Sequence, residues 1–195
     1  MKKRKVSLPV VLGVCLILAS VCIMLGYQFR MRMGVQKSRM IVSQVNALLP
    51  ERIPGIPELY PESCMPVLEI EGDDYVGILE IPAFGIILPV ADKWDSKSLS
   101  DSPTRFFGSA YDNTLVIGGS DYPEQFGFCD KIGNGAYVIV TDMTGSEFTY
   151  TVSNGERAKH AETQWLLDAD CDLTLFCRDM YSMEYIAVRC VFAYK

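Results

Sequence analysis

The pattern of apolar and polar residues divides the chain into three parts. An unbroken charge-free run covers residues 6–27, and apolar residues at roughly helical spacing continue through residues 28–50. Proline occurs four times between residues 51 and 74, a density that excludes a helix or a strand interior. From residue 75 to residue 195, short runs rich in β-branched and aromatic residues alternate with turn residues, which predicts a mostly β domain.

The first of these parts predicts a membrane anchor. A basic segment, residues 1–5, precedes the apolar run 6–27, which as a helix would be about 33 Å long and could cross a bilayer core of about 30 Å. No small-x-small cleavage site follows this run, as a signal peptide would require, and valine precedes Cys15 and Cys22 where a lipoprotein site needs a small residue. The basic cluster predicts a single-pass protein of the cell membrane with a cytoplasmic N-terminus and an extracellular C-terminal domain.

The two segments that follow the anchor predict a spacer. Residues 28–50 predict a stalk helix that ends at Pro50. Residues 51–74 predict an extended Pro-rich linker.

Alternating residues predict the strands of the third part. In the hairpin over 136–153, for example, Phe148, Tyr150 and Val152 share one face at period two. A short helix is expected over 124–132. Seven to eight short strands in this length predict a small closed barrel or a sandwich; the runs that predict strands are 75–82, 85–90, 114–119, 136–142, 147–153, 172–177 and 184–192.

Charge is distributed unevenly and excludes one class of partner. All 24 acidic residues lie at or after Glu51, whereas eight of the 18 basic residues lie before position 40. The β domain is therefore strongly acidic and would repel phosphate backbones, so we expect no nucleic acid partner.

Three stretches of the β domain together resemble a known family: YVGILEIPAFGIILPV (75–90), DSPTRFFGSAYDNTLVIGGSDY (101–122) and the pair DLTLFCRDM (172–180) with VRC (188–190). The family is that of the sortases, the membrane-anchored cysteine transpeptidases of Gram-positive bacteria. The resemblance covers about residues 75–195 in order and implies a closed β-barrel with short helices on an N-terminal transmembrane helix.

Sortase chemistry needs a cysteine thiolate that attacks a threonyl carbonyl, a histidine that protonates the leaving amine, and an arginine that stabilises the oxyanion. The Gly-His of the family falls on Gly119 and Ser120, so serine stands at the histidine position. The Thr-Leu-x-Thr-Cys motif ends on Arg178, and the catalytic arginine position, four residues before the arginine of VRC, holds Tyr185. The resemblance therefore implies that all three catalytic residues have been replaced.

Cys177 is the fallback nucleophile, one residue before the family position. Strand alternation places Cys177 on the face of the leucines, toward the core, whereas Arg178 and Thr174 point to the groove. A bulge could reverse this, so an active transpeptidase that uses Cys177 in a shifted geometry remains an alternative. His160, the only histidine, lies in a connection between strands and is expected to be an ordinary loop residue.

The cysteines show no metal pattern, and we expect no metal and no cofactor. There is no Cys-x-x-Cys pair and no histidine at ligand spacing. Cys171 and Cys190 lie on neighbouring strands, which leaves a disulfide open, but free and mostly buried thiols are the preferred interpretation.

These observations favour a pseudosortase, an inactive homologue that binds a peptide or partner at the cell surface. The expected partners are a sorting-signal peptide, a pilin or an active sortase on the same membrane. The groove residues are expected to be Asp121, Arg178, Tyr185 and Thr174, with an ion pair between Arg178 and Asp121. A purely structural surface protein is the other alternative.

Overall fold

A computed structural model describes residues 8–49, 51–57, 64–94, 98–160, 162–167 and 170–193. Ten strands, three α-helices and a short 3-10 helix (Pro82–Phe84) make up the regular structure of these residues. The strands are β1 (Ile53–Pro54), β2 (Leu68–Ile70), β3 (Asp73–Ile81), β4 (Ile86–Ala91), β5 (Thr104–Phe107), β6 (Leu115–Ser120), β7 (Tyr137–Asp142), β8 (Ser146–Ala158), β9 (Leu173–Arg178) and β10 (Tyr185–Phe192). The helices are α1 (Leu8–Leu48), α2 (Ser98–Asp101) and α3 (Thr163–Leu167).

Eight of the strands close into a barrel. Neighbouring strands follow the order β3-β4-β5-β6-β9-β10-β8, and β7 closes the ring because it pairs with both β8 and β3. β1 and β2 add short pairings to β8 and β3 outside this ring. The prediction of a mostly β, closed barrel with few short helices is confirmed.

Alternation along the strands fills the interior of the barrel. Phe148, Tyr150 and Val152 of β8 are all buried in the main core, as the period-two pattern predicts. Leucines and isoleucines of β6, β9 and β10 pack against them. Each fully buried side chain of this size contributes about 1.5–3 kcal/mol, so this core is the main source of the barrel's stability.

The C-terminal part of α1 docks on the outside of the barrel. Ile41 and Val45 are buried against Tyr75, Ile78 and Ala91, which lie on β3 and β4. α1 therefore belongs partly to the folded domain, where the sequence predicted a separate stalk. In the parts of the chain described above, we find no helix with both the length and the apolar character to cross a membrane, so the structure does not support the predicted anchor.

Two local predictions differ from the structure. The described parts of the Pro-rich segment, residues 51–57 and 64–74, contact the barrel: Met65 is buried in the core, and β1 runs beside β8. The expected helix over 124–132 is instead a series of turns. These turns need a glycine at 127, because a β-carbon there would sit 2.8 Å from the carbonyl oxygen of Tyr122.

The docking of α1 makes a stability prediction. Replacing Ile41 by alanine should remove about 2–4 kcal/mol from the free energy of unfolding, because the side chain is fully buried against the barrel. The matched control is Met40→Ala, since the neighbouring Met40 is exposed and should change stability by less than about 0.5 kcal/mol. Urea unfolding of the full chain in detergent measures both, and equal effects would show that α1 does not dock.

Candidate functional site

The three positions that the resemblance assigns to catalysis lie in one row across three neighbouring strands. Ser120 ends β6 and is paired with Arg178, which ends the parallel strand β9. Arg178 is paired in turn with Tyr185, which begins the antiparallel strand β10. Paired residues on adjacent strands point to the same face of a sheet, so Ser120, Arg178 and Tyr185 form one surface. We call this surface the edge row.

Ser120 is held by backbone and amide groups. Its hydroxyl donates a hydrogen bond to the carbonyl of Leu99 at 2.8 Å, and its N–H donates to Oε1 of Gln125 at 3.0 Å. Its carbonyl accepts from the N–H groups of Tyr122 and Phe126. The hydroxyl proton therefore goes to a peptide carbonyl, which is not a general base, and Ser120 has a structural role at the end of β6.

Arg178 lies on the ring of Tyr185 instead of pairing with an acid. The central guanidinium carbon is 5.6 Å from the ring centroid, and Nε donates to the carbonyl of Met183 at 3.4 Å. Within the described residues Arg178 forms no ion pair, and the predicted pair with Asp121 is wrong. The carboxylate of Asp121 instead accepts the N–H of Met180 at 3.1 Å, because the turn after β9 brings that backbone group to it.

The turn after β9 is organised by Asp179. Its carboxylate accepts hydrogen bonds from the N–H of Tyr181 at 2.8 Å and the hydroxyl of Ser182 at 2.8 Å, and it pairs with Arg157 at 3.2 Å. The backbone bond from Tyr181, followed by the Ser182 hydroxyl, lowers the pKa of Asp179 to about 2. The turn, residues 179–184, thereby projects three large apolar side chains into solvent: those of Met180, Tyr181 and Met183.

Cys177 points into the barrel, as alternation predicts. It is only 1% exposed and lies in the main core with Leu173 and Leu175. Its thiol donates to the carbonyl of Phe126 at 3.8 Å. Among the described residues no histidine or other base contacts it, and His160 is exposed after the end of β8. No feature of this thiol's surroundings prepares it for attack on a carbonyl.

The sheet behind the edge row is covered by the protein's own side chains. The next row inward is Gly118, Phe176 and Ala187, on the same three strands. Trp94 stacks on Phe176 with ring centroids 5.5 Å apart, and its ring leaves no space for a side chain at Gly118. Phe106 contacts both rings edge-on, and Leu166 of α3 is buried in the same cluster.

Arg189 holds α3 against the sheet. It is paired with Thr174 in the third row, one row further inward than Phe176 and Ala187. Arg189 is 4% exposed and donates to the carbonyls of Trp165 at 2.7 Å and Leu166 at 3.1 Å. It also donates to Oγ1 of Thr174 at 3.0 Å and to the carboxylate of Glu156 at 3.2 Å. Thr174, which was expected to line the groove, is therefore buried beneath α3, and its hydroxyl oxygen accepts a hydrogen bond from Arg189.

This role of Arg189 was not predicted from the sequence, where its position served only to locate Tyr185. Arg189 on β10 is paired with Thr174 on β9, and paired residues point to the same face of the sheet. Strand alternation was therefore the signal that Arg189 faces the groove. A cleft of about 410 Å³ opens beside it, lined by Asn154, Glu156, Trp165 and Asp170 among others. The described residues include no cluster of three side chains arranged to bind a metal ion.

The comparisons with known proteins agree with this architecture. No family model matches the sequence, and no curated protein does. Sortase A from Corynebacterium diphtheriae superposes with a TM-score of 0.54 at 16% identity, over 84% of this chain and 84% of that chain. Sortase C1 from Streptococcus agalactiae gives 0.54 at 21% identity, over 66% and 72%. A Clostridium perfringens sortase D5 transpeptidase gives 0.52 at 19% identity, over 64% and 82%. At these identities the likeness shows the fold, and this chain has the sortase fold.

Proposed function

We propose that this protein is a sortase homologue that has lost transpeptidase activity and binds a partner at the cell surface. One observation carries the proposal: the edge row aligns the three positions where the family's chemistry is expected, and it holds Ser120, Arg178 and Tyr185. None of these side chains, as placed, can combine a nucleophile with a base.

The edge row does not hold the groups that the family's chemistry requires. Acyl transfer needs a nucleophile and a proton carrier at one carbonyl. The hydroxyl of Ser120 is bonded to a peptide carbonyl, the guanidinium of Arg178 is not a nucleophile, and the ring of Tyr185 lies against that guanidinium. The alternative that uses Cys177 is disfavoured by its burial, since a substrate carbonyl would have to enter the barrel core.

The binding surface we propose is the edge row together with the turn 179–184. Tyr181 is 97% exposed, and Met180 and Met183 are more than half exposed beside it. Because Asp179 already fixes this turn, the backbone of the turn would lose little conformational entropy on binding. Exposed aromatic side chains on ordered loops are typical anchors of protein interfaces.

The covered sheet restricts what kind of partner fits. An extended peptide cannot lie on the row of Gly118, Phe176 and Ala187 unless Trp94 moves away. The partners that we propose, a sorting signal, a pilin or an active sortase, would therefore contact the exposed edge. The same covered sheet is the observation that favours the second candidate, a purely structural surface protein, and binding assays distinguish the two.

We also propose that residues 6–27 hold the domain at the cell membrane. The stretch contains no charged residue, and residues 1–5 before it are strongly basic. The large apolar side chains of α1 from Leu12 to Leu25 are exposed and belong to none of the core clusters of the described residues, so their apolar surface is open to be covered by lipid.

The first prediction concerns activity. Incubation of the protein with a panel of sorting-signal peptides and an amine acceptor should give no cleavage and no ligation above the uncatalysed rate, because the edge row lacks a nucleophile and a base. Mass spectrometry of the peptides measures this, with an active sortase as positive control. Turnover that disappears in Cys177→Ala would establish the shifted nucleophile and refute the proposal.

The second prediction concerns binding. Tyr181→Ser should weaken binding to the partner at least tenfold, because it removes the most exposed aromatic side chain of the turn. The matched control is Tyr137→Ser, which removes another exposed tyrosine on β7. Surface plasmon resonance against the peptides, pilins and sortases of the same cell measures both. If none of these partners binds, the structural alternative is preferred.

The third prediction concerns the membrane. Replacing Leu16 and Leu18 by arginine should move the protein from the carbonate-resistant membrane fraction to the supernatant. Each arginine at the centre of a spanning helix costs about 2.5–3.5 kcal/mol. The control replaces Met40 and Ala47, which are exposed on the same helix beyond the apolar run, and should leave the protein in the membrane fraction. Equal extraction of wild type and both variants would contradict anchoring.

A further inference from the structure

Three cysteines lie in the barrel core, and two of them meet. Cys129 comes from the turns after β6, and Cys177 comes from β9. Both bond to one atom, the carbonyl oxygen of Phe126: the N–H of Cys129 donates to it at 2.9 Å and the thiol of Cys177 at 3.8 Å. After burial, the neighbouring Cys177 thiol is the next cause that raises the pKa of the Cys129 thiol, so the two side chains interact.

The third thiol is placed differently. Cys190 lies on β10, where its partner on β9 is Leu173 and not Cys177. Its thiol contacts the carbonyl of Val188 in its own strand at 4.0 Å. Cys129 and Cys177 are therefore a pair, with Cys190 as a buried neighbour.

We propose that Cys129 and Cys177 are a redox pair that forms a disulfide inside the barrel. The bond would join the turns after β6 to the end of β9. Those turns hold Ser120, through the bond from the N–H of Phe126 to its carbonyl at 3.1 Å and through Gln125. The end of β9 carries Arg178, so the disulfide would fix the spacing of two members of the edge row. The inference does not depend on what that row binds.

The reaction is thiol–disulfide exchange with an external disulfide, either a small molecule or a disulfide oxidoreductase. One cysteine thiolate attacks the external disulfide, forming a mixed disulfide and releasing one thiol of the oxidant. The second cysteine thiolate then attacks the protein sulfur of that mixed disulfide and releases the other thiol. Two electrons pass to the oxidant, and the two protons from Cys129 and Cys177 go to its two thiols.

Burial decides when this reaction can occur. Burial, followed by the contact with Cys177, raises the pKa of the Cys129 thiol well above its usual value, so the folded barrel contains very little thiolate there. Both sulfurs are also closed to solvent. We therefore expect the bond to form while the chain folds or when the turns after β6 open, and to be protected from reductants afterwards.

The experiment counts free thiols in the full chain in detergent. The protein is refolded with oxidised and reduced glutathione or with dithiothreitol, and is then denatured and alkylated with a maleimide. The reduced chain should carry seven adducts by intact mass, one for each cysteine. The oxidised chain should carry two fewer, and its proteolytic map should contain a Cys129–Cys177 peptide. Its midpoint of thermal unfolding should rise by several degrees, because the link closes a loop of roughly 50 residues.

Two variants separate this pair from other pairings. Cys190→Ala, the matched control in the same core, should still lose two adducts on oxidation. Cys129→Ala should lose none. Seven adducts after oxidative refolding, a cross-linked peptide that contains Cys171 or Cys190, or a loss of two adducts in Cys129→Ala would each overturn the proposal.

Discussion

The alternation of side chains along β9 is the constraint on which the site depends. β9 lies between β6 and β10 in the barrel, so each of its residues is fixed in register from both sides. Cys177 is consequently inside and Arg178 outside, and a shift by one residue would move Leu173 and Leu175 out of the main core. That exchange would cost two buried leucines, worth about 1.5–3 kcal/mol each, which is more than one thiol could return. The packing of the core therefore keeps Cys177 out of the edge row.

The burial of Arg189 is a physical reason why the outer face of the sheet is covered. A buried guanidinium is unfavourable unless all its donors are satisfied, and here carbonyls of α3, Thr174 and Glu156 satisfy them. The ring of Trp165 lies 5.0 Å from the same charge. Because two of these partners are backbone atoms of α3, the arginine holds the helix on the sheet. The groove is thus occupied by residues that the fold itself requires.

The remaining exposed part of the site is small and presents three large apolar side chains on a hydrogen-bonded turn. Asp179 fixes the turn after β9 by accepting backbone and hydroxyl hydrogen bonds, while Arg157 neutralises its charge. Tyr181 and the two methionines are left in solvent in a defined arrangement. Arg178 lies over the ring of Tyr185 and adds a cation to this surface. The combination suits a protein partner better than a substrate that must be enclosed, and it agrees with the function proposed above.

Local rules of sequence were sufficient for seven of the eight barrel strands, whereas the short strand β5 was not predicted. Phe148, Tyr150 and Val152 were predicted to share one face, and Cys177 to lie inside, because strand periodicity depends only on neighbouring residues. The positions of Ser120, Arg178 and Tyr185 came from motif spacing, and the register placed them together. Only the tertiary structure decided the partner of Arg178, the cover formed by Trp94 and α3, the role of Arg189 and the meeting of Cys129 with Cys177. Each of these joins residues distant in the chain, and such contacts are chosen by packing and by the need to satisfy buried polar groups, which no local pattern records.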